Sequence, residues 1–204
     1  MTTPGQTVGP FFHFALPSGR GGELVPPGRG DAIRLHGHVY DGAGAPVPDA
    51  LIELWQPGPD GRVSRAAGSL RRDGWTFTGW GRAATDAAGH YSFSTLRPGA
   101  TEPGRLPFFA LVVFARGLTH RLFTRAYLPA GADRAGADQA SADQAGADQA
   151  GADQAGADPF LSRVEPGRRG TLIATPDEHG FVFDVRLQGE NETVFLTFPG
   201  HGES

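Results

Sequence analysis

The sequence predicts an all-β protein: a β-sandwich of the kind built from short strands, with an extended N-terminal arm and a low-complexity loop insertion. Three observations carry that expectation. Thirty-one glycines and 17 prolines in 204 residues interrupt the chain too often for long helices. Between the interruptions lie short runs rich in β-branched and aromatic residues, several of them alternating apolar and polar. Outside one repeat, no segment shows helical periodicity.

Residues 1–30 are Gly- and Pro-rich and read as the arm; residues 31–204 read as the sandwich, interrupted at about 130–158. In Ile33–Tyr40 the apolar Ile33, Leu35 and Val39 alternate with Arg34, His36, His38 and Tyr40, the period of a strand with one buried face. Turn residues follow in 41–50. Leu51–Gln56 and His90–Leu96 are the next strands. Phe108–Ala115 is continuously apolar, as expected of a central strand covered on both faces. His120–Leu128, Gly170–Thr175, Phe181–Gln188 and Thr193–Phe198 complete the set.

The insertion repeats AGADQ. A five-residue period steps 140° around a helix and paints no stripe, and nothing larger than Ala is available to bury. Such a segment cannot offset the entropy of ordering and is expected to be a solvated loop. Its regular aspartates match neither an EF-hand nor the glycine-rich nonapeptide calcium repeat.

Charge excludes some functions. Residues 131–158 carry six aspartates and one arginine, so the formal net charge of -4 leaves the rest of the chain near +1. That balance argues against nucleic-acid and membrane partners. All 18 basic residues are arginine, which reads as coding bias. Without cysteine there are no disulfides and no thiolate metal sites. The first residues have neither a basic start nor an apolar run, and a cytoplasmic location is expected. There is no G-x-S-x-G elbow and no Walker sequence. His36-Gly37-His38 has the spacing of a metal pair, but it lies in the first strand and reads as two polar-face histidines; His13, His90, His120, His179 and His201 are scattered.

Four stretches resemble the intradiol ring-cleavage dioxygenases: Leu35–Arg62 with its Glu53-Leu54-Trp55-Gln56, Gly81–Gly99, Pro107–Gly117, and Gly5–Phe12 in the arm. Arg168–Ala174 and Phe183–Phe198, with Phe-Ala-Arg-Gly at 114–117, resemble more narrowly the alpha subunits of the heteromeric protocatechuate 3,4-dioxygenases. The resemblance implies a sandwich fold and aromatic ring cleavage with O2. In that family a catalytic subunit holds ferric iron with two tyrosinates and two histidines. Phenolates are hard, anionic ligands suited to Fe(III).

Carried over position by position, the tyrosines fall at Val63 and Thr101 and the histidines at Phe108 and Ala110. None of these side chains can ligate ferric iron. No Tyr or His lies between Tyr91 and His120, so a slip of a residue or two changes nothing. The implied iron therefore belongs to a partner beta subunit, in a higher hetero-oligomer, with protocatechuate and O2 at the shared site. By the same resemblance, Thr7, Gly9 and Pro10 of the arm reach the partner's pocket. Gly permits close backbone approach and Pro fixes direction. Arg116 offers a guanidinium to the substrate carboxylate. Arg125 reads as a structural or interface residue. The alternative is a non-catalytic transthyretin-like β-sandwich binding module, which shares the pattern of residues 35–56.

Overall fold

The computed structural model describes Gly9 and residues 15–66, 72–129 and 158–198. Thr7, Pro10 and residues 130–157 of the AGADQ tract lie outside the described residues.

Two sheets face each other. One contains β1 (Ala32–Tyr40), β4 (His90–Leu96), β7 (Thr175–Pro176), β8 (Gly180–Val182) and β9 (Val185–Arg186), in the order β4-β1-β8-β7 with β9 also on β1. The other contains β2 (Leu51–Trp55), β3 (Trp80–Ala84), β5 (Phe108–Phe114) and β6 (Leu122–Tyr127), in the order β3-β2-β5-β6, antiparallel throughout. Strand alternation sets the core. Leu35, Val39, Tyr91 and Phe93 point inward from the first sheet to meet Ile52, Leu54, Phe109, Leu111 and Val113 from the second. Each such side chain contributes about 1.5–3 kcal/mol on burial. The base of the arm joins this core: Leu24 and Val25 are buried, and both of their amides donate to the Ser94 carbonyl.

A second apolar cluster lies on the outer face of the β5–β6 pair. Tyr127, Leu161 and Leu172 are buried there, with Phe108 and Phe160 packed against them. Two 3-10 helices, Leu161–Arg163 and Pro166–Leu172, carry the C-terminal segment over this face. Asp158, read from sequence as the last residue of a solvated tract, is buried. Its carboxylate accepts hydrogen bonds from the Phe160 and Leu161 amides, which starts the first of these turns.

Several strand expectations need correction. Trp80–Ala84 was not among the strand candidates, because Gly81 and two alanines hide any alternation. It forms β3, in register from Leu51↔Ala84 to Trp55↔Trp80. Gly81 is needed there because a Cβ would lie 2.4 Å from Leu24 Cδ1 at the base of the arm. Gly170–Thr175 is mostly not a strand. Pro166 opens a 3-10 helix that drops Leu172 into the second cluster, and only Thr175–Pro176 pairs. Within Thr193–Phe198 the pairing is a single bridge, Phe123↔Leu196.

Phe181–Gln188 breaks into β8 and β9 at Phe183–Asp184, where the chain crosses Gly37. A Cβ on Gly37 would sit 2.1 Å from the Phe183 carbonyl oxygen. That oxygen accepts the buried Tyr91 hydroxyl at 2.5 Å, so it cannot move freely. Burial holds the Tyr91 phenol un-ionised well above its ordinary range. Gly37→Ala is therefore expected to destabilise the fold by about 1–3 kcal/mol. Chemical denaturation checks this; an unchanged midpoint would show that the crossing can relax.

Candidate functional site

The four positions to which the resemblance assigns iron ligands, Val63, Thr101, Phe108 and Ala110, lie toward one end of the second sheet. Gln56, just beyond β2, is buried; its amide donates to the Leu96 carbonyl at 2.8 Å and its oxygen accepts from Thr95 Oγ1 at 2.5 Å. This pins the loop leaving β2 beside the loop leaving β4. The Gly99 amide donates to the Gly58 carbonyl at 2.9 Å. Gly61 has φ +77, and a Cβ there would meet the Ala100 oxygen at 2.0 Å and Thr101 Cα at 3.7 Å. Only glycine tolerates both that backbone and that approach. Val63 and Thr101 thus stand on abutting loops, both exposed. Ala110 pairs with Trp55 at the end of β2, and Phe108 begins β5 at the same end, outward of the core.

The residues at this place do not fit a ferric ion. Val63, Thr101, Phe108 and Ala110 supply no phenolate or imidazole. Among the described residues, no three His, Asp or Glu side chains converge as a metal site requires. What stands against Phe108 is a cation. The Arg125 guanidinium lies 4.1 Å from the Phe108 ring centroid and 5.1 Å from that of Phe160, and it donates to Tyr127 Oη at 3.0 Å. Burial pushes the Tyr127 phenol up, although the Arg125 hydrogen bond and charge oppose this. Sequence reasoning saw Arg125 only as structural or interfacial. The i,i+2 spacing of Arg125 and Tyr127 put them on one strand face and was the available signal. Phe160 comes from beyond the repeat tract and left none.

Of the residues expected to act on a partner, Gly9 and Arg116 are among the described ones. Gly9 is exposed, with nothing near its Cα that a side chain would strike. Arg116 follows the far end of β5. The strand's length puts it about 20 Å from Phe108, so the structure does not bring Arg116 to the chain's own ligand positions. Its Nε forms an ion pair with Asp49 Oδ2 at 3.0 Å; the arginine side chain is 63% exposed and the aspartate 15%. Asp49 was not anticipated from sequence.

His36 and His38 face outward from β1, away from this end. His36 Nε2 is 2.8 Å from Asp177 Oδ2 and His38 Nδ1 is 3.7 Å from Asp184 Oδ1. His90, opposite His38 on β4, has its basicity lowered by burial and then by its histidine neighbours. The Asp177 carboxyl is raised by burial, but hydrogen bonds from His36 and from the His179 and Gly180 amides hold it below its ordinary value.

Comparison with known proteins fits this geometry. A family model, Dioxygenase_C, described as "Dioxygenase", matches residues 20–106. The chain is 33% identical over 211 residues to the protocatechuate 3,4-dioxygenase alpha chain of Burkholderia cepacia, covering 95% of this chain and 96% of that one. It is 32% identical over 135 residues to the beta chain of the same organism, covering 61% and 54%. Among solved structures, an intradiol ring-cleavage dioxygenase from Tetranychus urticae matches with a TM-score of 0.51 at 15% identity, covering 83% of this chain and 87% of that one, a likeness of fold. Near-full-length similarity to an alpha chain leaves little room for the transthyretin-like alternative. The chain belongs to the protocatechuate 3,4-dioxygenase alpha-chain family of the intradiol ring-cleavage dioxygenases.

Proposed function

We propose that this chain is the non-iron-binding alpha subunit of a protocatechuate 3,4-dioxygenase. It pairs with a beta subunit that holds the ferric ion and helps shape the site where O2 cleaves protocatechuate to 3-carboxy-cis,cis-muconate, a step of the beta-ketoadipate route. The observation that carries this reading is the set Val63, Thr101, Phe108 and Ala110: the four positions to which the resemblance assigns ligands, two on abutting loops and two on one strand, hold no side chain that could ligate ferric iron. The chain's own residues would act by binding and positioning. Thr7, Gly9 and Pro10 form a wall of the partner's pocket, and Arg116 meets the substrate carboxylate. Arg116 suits that task by exposure, and its guanidinium is paired with Asp49.

Partners in a hetero-oligomer are supported by the separate alpha and beta chains among the relatives. No described helix is long and apolar enough to cross a membrane. The test is direct. Purified alone, the chain should contain no stoichiometric iron, lack the visible tyrosinate-to-iron band and consume no oxygen with protocatechuate. A stoichiometric iron content with that band would overturn the reading.

A further inference from the structure

The resemblance implies that iron-binding members of the family hold a ferric ion among anionic ligands at this end of the sheet. Here the positive charge belongs to the protein. Arg125 reaches across from β6, paired with Ala110 in the register, and its guanidinium sits between the Phe108 and Phe160 rings. Among the described residues the guanidinium contacts these two rings and the Tyr127 hydroxyl and forms no ion pair; the buried Asp158 carboxylate acts on Tyr127 from farther off and is taken up by the Phe160 and Leu161 amides. Aromatic faces and a neutral hydroxyl hold a cation without neutralising it. Phe160 lies on the C-terminal segment, so the same contact fastens that segment over β5 and β6. A histidine in place of Phe108 would have its ring roughly 4 Å from a permanent positive charge, where a metal ion would be repelled rather than held.

We infer that Arg125 takes the place of the metal's charge in this chain and excludes metal ions from it, so that the site stays closed to iron even where its ligands are restored. This rests on the assignment of the four ligand positions given above.

Two pairs of variants test it in the full chain. In the first, Phe108→His/Ala110→His is compared with the same pair carrying Arg125→Gln, and Cu2+ affinity is measured by calorimetry. Two histidines two residues apart on one strand face can chelate Cu2+ without help from Val63 or Thr101. Removing the guanidinium should tighten binding roughly tenfold or more. Equal affinities would overturn the inference, and so would tighter binding with Arg125 present. In the second, Val63→Tyr/Thr101→Tyr/Phe108→His/Ala110→His is loaded with ferric citrate, with and without Arg125→Gln. The tyrosinate-to-iron band should appear only with Gln. A band of equal strength in both would confirm the ligand positions and overturn the exclusion. If neither shows a band while the histidine pair still gains Cu2+ affinity, exclusion at 108 and 110 stands and the assignment of Val63 and Thr101 falls.

Discussion

Arg116→Ala, in a complex reconstituted with a beta subunit, is expected to lower kcat/KM for protocatechuate roughly ten- to a hundredfold. A charge-assisted hydrogen bond to a carboxylate contributes about 1.5–3 kcal/mol, which is that range of fold-change. Iron content should not change, because no ligand is touched. Catechol, which lacks the carboxylate, should lose much less, and the ratio between the two substrates is the informative readout. The ion pair with Asp49 sharpens the expectation. If Asp49 orients the guanidinium, Asp49→Asn should give a smaller loss in the same direction, again for protocatechuate more than for catechol. Should both substrates fall equally on Arg116→Ala, or neither fall, Arg116 is a turn residue and recognition of the carboxylate lies elsewhere.

Arg82→Ala is expected to have the largest effect on stability. Arg82 Nε donates to Glu53 Oε1 at 3.0 Å, and both side chains are less than one-fifth exposed. The same guanidinium lies 5.1 Å from the Trp80 ring centroid and donates to the Leu16 carbonyl at 3.2 Å, where the arm meets the second sheet. Truncating it strands a part-buried carboxylate and unpins the arm at once. Loss of one partner of such a pair costs about 3–5 kcal/mol. Denaturant unfolding should show a loss near the lower end of that range, since neither group is fully enclosed. The double variant Glu53→Gln/Arg82→Ala should recover part of it, because no unpaired charge remains. A loss below about 1 kcal/mol would place this pair with ordinary surface ion pairs.

Much of the fold was legible in the sequence because strand alternation is a local signal. Ile33, Leu35 and Val39 marked β1 directly, and the apolar run 108–115 marked β5. Where the outcome was set by long-range packing, local reading failed. Trp80–Ala84 carries no alternation and is a strand only because β2 presents an open edge to it. Gly170–Thr175 has strand-like composition, but Leu172 is drawn into the cluster around Tyr127. Gly37 looked like a spacer between two histidines; its role is to let Phe183 pass.

The candidate site divides the same way. That Val63, Thr101, Phe108 and Ala110 cannot bind iron follows from residue identity, and the loops bearing Val63 and Thr101 do abut. The partners that define the local electrostatics were not legible. Asp49 and Arg116 are distant in sequence, and Phe160 meets Arg125 from the other side of the AGADQ tract. Neither contact follows from any period or motif.

The central claim is that this chain completes an active site whose metal lies on another subunit. It is tested most directly by titrating the purified, metal-free chain into an iron-loaded protocatechuate 3,4-dioxygenase beta subunit, following oxygen uptake and the iron content of the purified complex. Activity should rise until one alpha chain is present per beta chain. The complex should hold one iron per alpha/beta pair, with the tyrosinate-to-iron band contributed wholly by the beta subunit. Two irons per pair, or full activity of the beta subunit without this chain, would contradict it.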